Sequence, residues 1–169
     1  MSEFGPALDY LLDNEDKARS YAIVPDPGGN AIAGINSASF PTQYAAVAAA
    51  PQAQRGELVA NFYFTAFWSP LELDFVNSQD IANRVLDQAV NGGPYSAIAM
   101  LQECANSLGG AIAVDGTMGT LTLHAVNACD AGKLLDAYRK ARVEHYEAVL
   151  EAHPKLEMYR ATWMARASK

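Results

Sequence analysis

Hydrophobic positions recur at helical spacing through most of this chain. In residues 3–16, Phe4, Leu8, Leu11, Leu12 and Glu15 fall on one face of a helix. The period is lost over residues 19–36, which Pro25, Pro27, Gly28, Gly29 and Gly34 punctuate. That stretch predicts a loop with a short β-hairpin around residues 22–24 and 31–35. Helical patterns resume at residues 42–50 and 52–68, and Ser69-Pro70 stops the second. Another helix is expected over residues 77–90, closed by Asn91-Gly92-Gly93-Pro94, where a glycine suits the C-cap. Residues 95–107, 120–129, 131–152 and 157–167 complete the pattern, with a Gly-rich turn after the first of these. No period marks a repeat protein. The expected fold is mainly α, with a short β-hairpin or loop after the first helix.

Composition and charge narrow the classes that such a fold can serve. The chain has 169 residues, half of them apolar, which suits one domain or a tightly fused pair and excludes a disordered chain. No apolar run approaches the roughly 20 residues of a membrane helix, so no membrane span is expected. The acidic start lacks a basic n-region and a cleavage site, which reads as no signal peptide and synthesis in the cytoplasm. A net charge of −7 argues against nucleic acid as a partner, since phosphate binding relies on Lys and Arg. Residues 1–85 carry ten acids and four bases, whereas residues 86–169 carry nine acids and eight bases. The late bases Lys133, Arg139, Lys140 and Arg142 mix with Glu144, Glu147 and Glu151, a pattern that predicts a solvated helix face with i,i+4 pairs. Cys104 and Cys129 form no framework and read as two thiols, or as one bridge made after export.

Candidate chemistry gathers in residues 14–36. Glu15 closes the first helix and Asp26 follows in a Pro/Gly-rich turn. Glycosidic bonds are commonly broken by two carboxyl groups flanking the scissile bond, one protonated and one ionised. A carboxyl at a helix C-terminus beside apolar residues is driven towards its protonated form by desolvation and by the dipole, as a general acid requires. Asp13 and Asp16 are neighbouring candidates for the same task. Asp26 suits a base that activates water, a stabiliser of positive charge at the anomeric carbon, or simply a turn former before Pro-Gly-Gly. The aromatics Phe62, Tyr63, Phe64, Phe67 and Trp68 cover more than one helix face; most belong in a core, while Tyr63 and Trp68 carry polar handles suited to a groove. Asn91 shares a helix face with Asp87 and reads as a helix-end cap. Gln102 suits either a sugar or peptide amide or plain solvent. His124, His145 and His153 are scattered without metal-ligand spacing, and neither cysteine has a positioned histidine. No metal and no cofactor are expected.

These residues carry a resemblance. Glu15, Tyr21, Asp26-Pro27-Gly28-Gly29 and Gly34-Ile35-Asn36 resemble, in order, the helix-end Glu, the following Tyr, the Asp-Pro-Gly-Gly turn and the Gly-Ile-Thr of glycoside hydrolase family 108. Phe67-Trp68 is similar to the family's Tyr-Trp helix, and residues 86–94 are similar to its Asp-x-Ala-Val-Asn-x-Gly-Pro segment. Leu101-Gln102, Val114-Asp115-Gly116-Thr117-Met118-Gly119 and Thr122 resemble the predicted peptidoglycan-binding region that accompanies it. The resemblance implies a lysozyme-like fold with a catalytic block over residues 1–90 and a helical peptidoglycan-binding region over residues 91–169, packed on it as one compact unit. It further implies a monomeric muramidase of phage or bacterial type. Its partner would be the peptidoglycan glycan strand, met after holin-type release or dedicated export. Glu15 and Asp26 would be catalytic, and Tyr21, Asn36, Tyr63, Trp68, Asn91 and Gln102 would meet substrate. Two departures stand out. A longer connection, Asp16-Lys17-Ala18-Arg19-Ser20, replaces the family's Gly-Gly, and Asn30, Ala31, Ile32 and Ala33 fill the region of an expected threonine. They keep open a lytic transglycosylase using the same Glu, or a non-catalytic wall-binding or virion protein.

Overall fold

The computed structural model describes residues 1–26 and 29–169, and is mainly helical with one small sheet. Helix α1 (Phe4–Glu15) buries Ala7, Leu11 and Leu12. Strands β1 (Val24–Asp26), β2 (Gly29–Ile32) and β3 (Ile35–Asn36) pair antiparallel in chain order, one strand more than the pattern predicts. Two residues, Ala33 and Gly34, turn β2 into β3, both at positive φ (46° and 82°). This is the backbone that a two-residue hairpin twisted like its strands demands. Pro27 and Gly28 of the Asp-Pro-Gly-Gly motif lie outside the described residues.

Helix α2 (Pro41–Ala49) begins on proline, which tolerates a first-turn position because no amide is needed there. The single helix expected over residues 52–68 is three pieces: a 3₁₀ turn at Gln52–Gln54, helix α3 (Arg55–Tyr63) and a wide π-type turn at Phe64–Trp68. The Ser69 amide donates to the Phe64 carbonyl at 2.9 Å, which closes that turn. The extra backbone re-aims the aromatics, so Phe62, Tyr63, Phe67 and Trp68 are all buried.

Helix α4 (Gln79–Gly92) is the axis of the molecule. Ile81, Ala82 and every residue from Arg84 to Ala89 are buried, because α1, α5 (Pro94–Ser107) and α7 (Ala131–Ala152) all pack on it. Gly93, at φ 90°, makes the break between α4 and α5. Helix α6 (Thr120–Ala128) packs on α5, and α8 (Arg160–Ser168) packs on α7. One continuous apolar cluster runs from Ala7 to Tyr138, so both halves of the chain share a core. Among the described residues, no helix is long and apolar enough to cross a membrane.

Three sequence expectations change here. Trp68, 1 % exposed, packs its ring 5.6 Å from that of Phe4 and faces no groove. Gln102, also 1 % exposed, is a clamp for the irregular segment after α5. Its Nε2 donates to Asp115 Oδ1 (2.8 Å), the Thr117 carbonyl (3.1 Å) and Thr122 Oγ1 (3.0 Å), and its Oε1 accepts from the amides of Asp115 and Gly116. Arg142 does not belong to a solvated face. It lies fully buried in the stripe Leu134, Tyr138, Arg142, Tyr146, Leu150 of α7. Cys104 and Cys129 are free thiols, the first buried and the second partly so.

Candidate active site

The end of α1 sorts its three acids by what surrounds them. Asp13 is taken by Arg19 at 2.9 Å and is largely exposed. Asp16 accepts from the Tyr21 amide at 2.6 Å and from Ser20 Oγ at 3.2 Å, which pins the connection that follows. Arg19 folds back onto the helix end and donates to the carbonyls of Asp9 and Asp16. The Asp16 carbonyl, left open at the helix end, is a good acceptor for a guanidinium, whereas Asp9 lies in the helix interior. The inserted residues therefore cap α1, with Arg19 and Tyr21 at φ 51° and 49°, a backbone that glycine adopts more cheaply.

Glu15 alone of the three turns inward. Its side chain is 18 % exposed and lies against the β2–β3 turn. A Cβ on Gly34 would come within 2.7 Å of Glu15 Oε2 and equally close to the Tyr63 hydroxyl. Glycine is thus required at residue 34 twice over, by its φ and by the approach of the carboxylate. Tyr63 is fully buried, so it borders the carboxylate from below and has no face for a glycan. Its hydroxyl donates to the Ala33 carbonyl at 2.7 Å. Burial, reinforced by the nearby Glu15 charge, pushes the Tyr63 phenol well above its ordinary value and keeps it a donor.

Asp26 ends β1 on the exposed side of the hairpin, opposite Gly29 in register. Asn36 Nδ2 donates to Asp26 Oδ1 at 2.6 Å, while Asn36 Oδ1 accepts from the amides of Ala38 (2.7 Å) and Ser39 (3.3 Å). Asn36 therefore turns the chain into α2 and orients the second carboxylate with the same amide group. Tyr21 is held at its carbonyl by Arg55 at 2.9 Å, and its ring lies over Gly56, where a Cβ would touch it at 3.0 Å. Glu15 and Asp26 thus stand at opposite ends of one three-stranded sheet, with Tyr21 and Asn36 beside it. Asn91 stands apart from that sheet, at the end of α4, and donates to the Tyr146 hydroxyl at 2.5 Å.

The site holds charges that the sequence reading does not place there. Arg166 of α8 reaches Glu15 Oε1 at 2.7 Å through Nη2, and the same guanidinium meets Asp87 at 2.8–3.1 Å. Asp87, fully buried on α4, also accepts from Asn14 at 2.9 Å and is ion-paired with Arg142. Burial works against the Arg166 charge, but Asp87 and Glu15 more than offset it and hold the guanidinium above the usual arginine value. The sequence did contain one signal for this cluster: an arginine at the centre of an apolar i,i+4 stripe in α7. For Arg166, which crosses 151 positions to meet Glu15, it contained none.

Comparison with known proteins bears on this geometry. Residues 11–93 match the family model described as Glycosyl hydrolase 108, and residues 96–168 match that of a Predicted Peptidoglycan domain. The chain belongs to the glycosyl hydrolase 108 family. With its peptidoglycan domain, it is a glycoside hydrolase that acts on peptidoglycan. Among solved structures, Brucella abortus SagA is similar at 24 % identity and a TM-score of 0.73, over 98 % of this chain and 89 % of that one. That likeness is one of fold. No curated protein matches the chain. The boundary between the two matched regions falls at Gly93–Ser96, the break between α4 and α5, so Glu15 and Asp87 come from the hydrolase region and Arg166 from the other.

Proposed function

We propose that this glycosyl hydrolase 108 protein is an N-acetylmuramidase, cleaving between N-acetylmuramic acid and N-acetylglucosamine, with Glu15 as the general acid. The observation that carries this reading is the orientation of Glu15. It alone among the acids ending α1 turns to the hairpin, with Oε2 at the surface of Gly34. In this reading a proton on Oε2 passes to a glycosidic oxygen lying along the β2–β3 turn as the leaving sugar departs. Asp26, oriented by Asn36, supports the positive charge that builds at the anomeric carbon or activates the water that replaces the leaving group. Peptidoglycan would be met after holin-type release or dedicated export, and the protein would work as a monomer.

Product analysis tests this reading. Purified peptidoglycan digested by the protein is expected to release fragments with reducing muramic ends, detected by mass spectrometry before and after borohydride reduction. Anhydromuramic ends would replace the muramidase reading with a lytic transglycosylase, in which the sugar's own hydroxyl closes the ring. Intact sacculi, under conditions where a control lysozyme digests them, would leave a wall-binding protein without catalysis.

A further inference from the structure

The hydrolase region supplies a general-acid candidate whose first oxygen is held by a residue from the other end of the chain. Arg166 spans two carboxylates with one planar fork: Nε and Nη2 meet Asp87, and Nη2 also meets Glu15 Oε1. The fork is 11 % exposed and cannot swing freely, because α8 is tied down at several points. Arg139 of α7 donates to the Lys169 carbonyl at 2.6 and 2.9 Å, Arg84 of α4 donates to the same oxygen, and Lys169 Nζ reaches Asn14 of α1. Trp163 stacks on Tyr159 and leans on Tyr146 of α7, with ring centres 5.7 and 5.3 Å apart. Asp87 is set in turn by Arg142 and Asn14. The charged and titratable groups around Glu15 are therefore Arg166 from α8, Tyr63 from α3, and Asp87 with its partner Arg142 behind the fork.

We infer that Arg166, with Asp87 behind it, is a positioning residue for Glu15, so that the catalytic site is completed by the helix ending the region matched to the peptidoglycan domain. Arg166 holds Oε1 and leaves Oε2 as the oxygen facing the β2–β3 turn. Asp87 accepts from both Nε and Nη2 of the fork, which fixes the plane of the guanidinium and shares its charge. A lysine in this place retains a positive charge, yet a single ammonium cannot hold both carboxylates in one plane. The region matched to the peptidoglycan domain then contributes to turnover itself, and not only to retention on the wall.

This inference rests on Glu15 acting as the acid, and its test separates the two. Initial rates on soluble, uncrosslinked glycan strands are measured for wild type, Glu15→Gln, Arg166→Lys and Arg166→Ala, with folding followed by circular dichroism. Arg166→Lys and Arg166→Ala are expected to lose about 100-fold in kcat, the scale of a misplacement of about an ångström, with KM little changed. Guanidinium chloride at non-denaturing millimolar concentration is expected to restore part of the Arg166→Ala rate, with potassium chloride at equal ionic strength giving no rescue. If Arg166→Ala does not fold, Arg166→Lys carries the test through its kcat and KM. Wild-type kcat in Arg166→Lys, or a loss in Arg166→Ala that guanidinium leaves untouched, would overturn the positioning role. Undiminished activity in Glu15→Gln would instead remove the reading on which it rests.

Discussion

Glu15 is chosen by its neighbours more than by its own chemistry. Three acids stand within four positions at the end of α1, and the pattern of the chain leaves all three open. The fold separates them, because Asp13 and Asp16 are engaged with the connection that follows the helix while Glu15 meets Gly34, Tyr63 and Arg166. Gly34 is the residue on which this arrangement turns. Gly34→Ala is expected to displace the carboxylate and lower turnover about 100-fold. It should also cost about 1–2 kcal/mol from an alanine held at positive φ, read by urea denaturation. The cysteines offer a second check. Burial pushes the Cys104 thiol up to about 12, so it stays protonated and unreactive at neutral pH. Maleimide labelling of the native protein at pH 7, mapped by peptide mass, should therefore mark Cys129 before Cys104. His145 gives a pH signature. Burial lowers it below the ordinary 6.5, so the unfolded chain takes up a proton that the folded chain resists. Stability should decline as pH falls through that value, and thermal melts of His145→Gln should lose that part of the slope.

At the scale of elements, periodicity located most helices because their buried faces are simple stripes. It failed where two demands met on one segment. Over residues 52–68 the aromatics Phe62, Tyr63, Phe67 and Trp68 must all be buried, and an unbroken α-helix spreads them around its axis. The chain answers with a wide turn, which no local pattern announces. The connection after α1 was equally opaque. Its sequence shows only that Gly-Gly is missing, whereas the structure shows Arg19 capping the helix and Arg55 holding the loop from α3. Arg55 joins the Tyr21 carbonyl to those of Ala48 and Ala50. Arg55→Ala should destabilise the protein by about 1.5–3 kcal/mol, the range for hydrogen bonds from a charged donor. Amide exchange should quicken at residues 22–24, and unchanged exchange there would mean that the loop is held by other contacts.

The whole molecule is organised around charges in its interior. Asp87 and Arg142 are both fully buried and paired, with Arg166 and Asn14 completing the set across α1, α4, α7 and α8. Charge patterning suggested a solvated face for α7, because most of its bases do face water and only the apolar stripe singles out Arg142. A buried ion is tolerated only while its partner is present. Removal of one member, as in Arg142→Met, should cost about 3–5 kcal/mol in urea denaturation. Family resemblance made the order of the two regions and their packing as one unit legible, but not the contact that joins them at Glu15. Such contacts join residues 55 to 151 positions apart, beyond the reach of any local spacing.

Under the proposed muramidase reading, Glu15 supplies the proton that breaks the glycan strand. The most direct measurement compares wild type with Glu15→Gln, at matched folded concentration, in the release of muropeptides from purified peptidoglycan. The amide keeps the shape of the side chain and an acceptor oxygen for Arg166, but has no acidic proton to deliver. Reducing muramic ends are expected from the wild type, and a rate at least about 100-fold lower from the variant, the scale of a general acid. Equal release from both proteins would contradict that reading and move the search for the acid away from the end of α1.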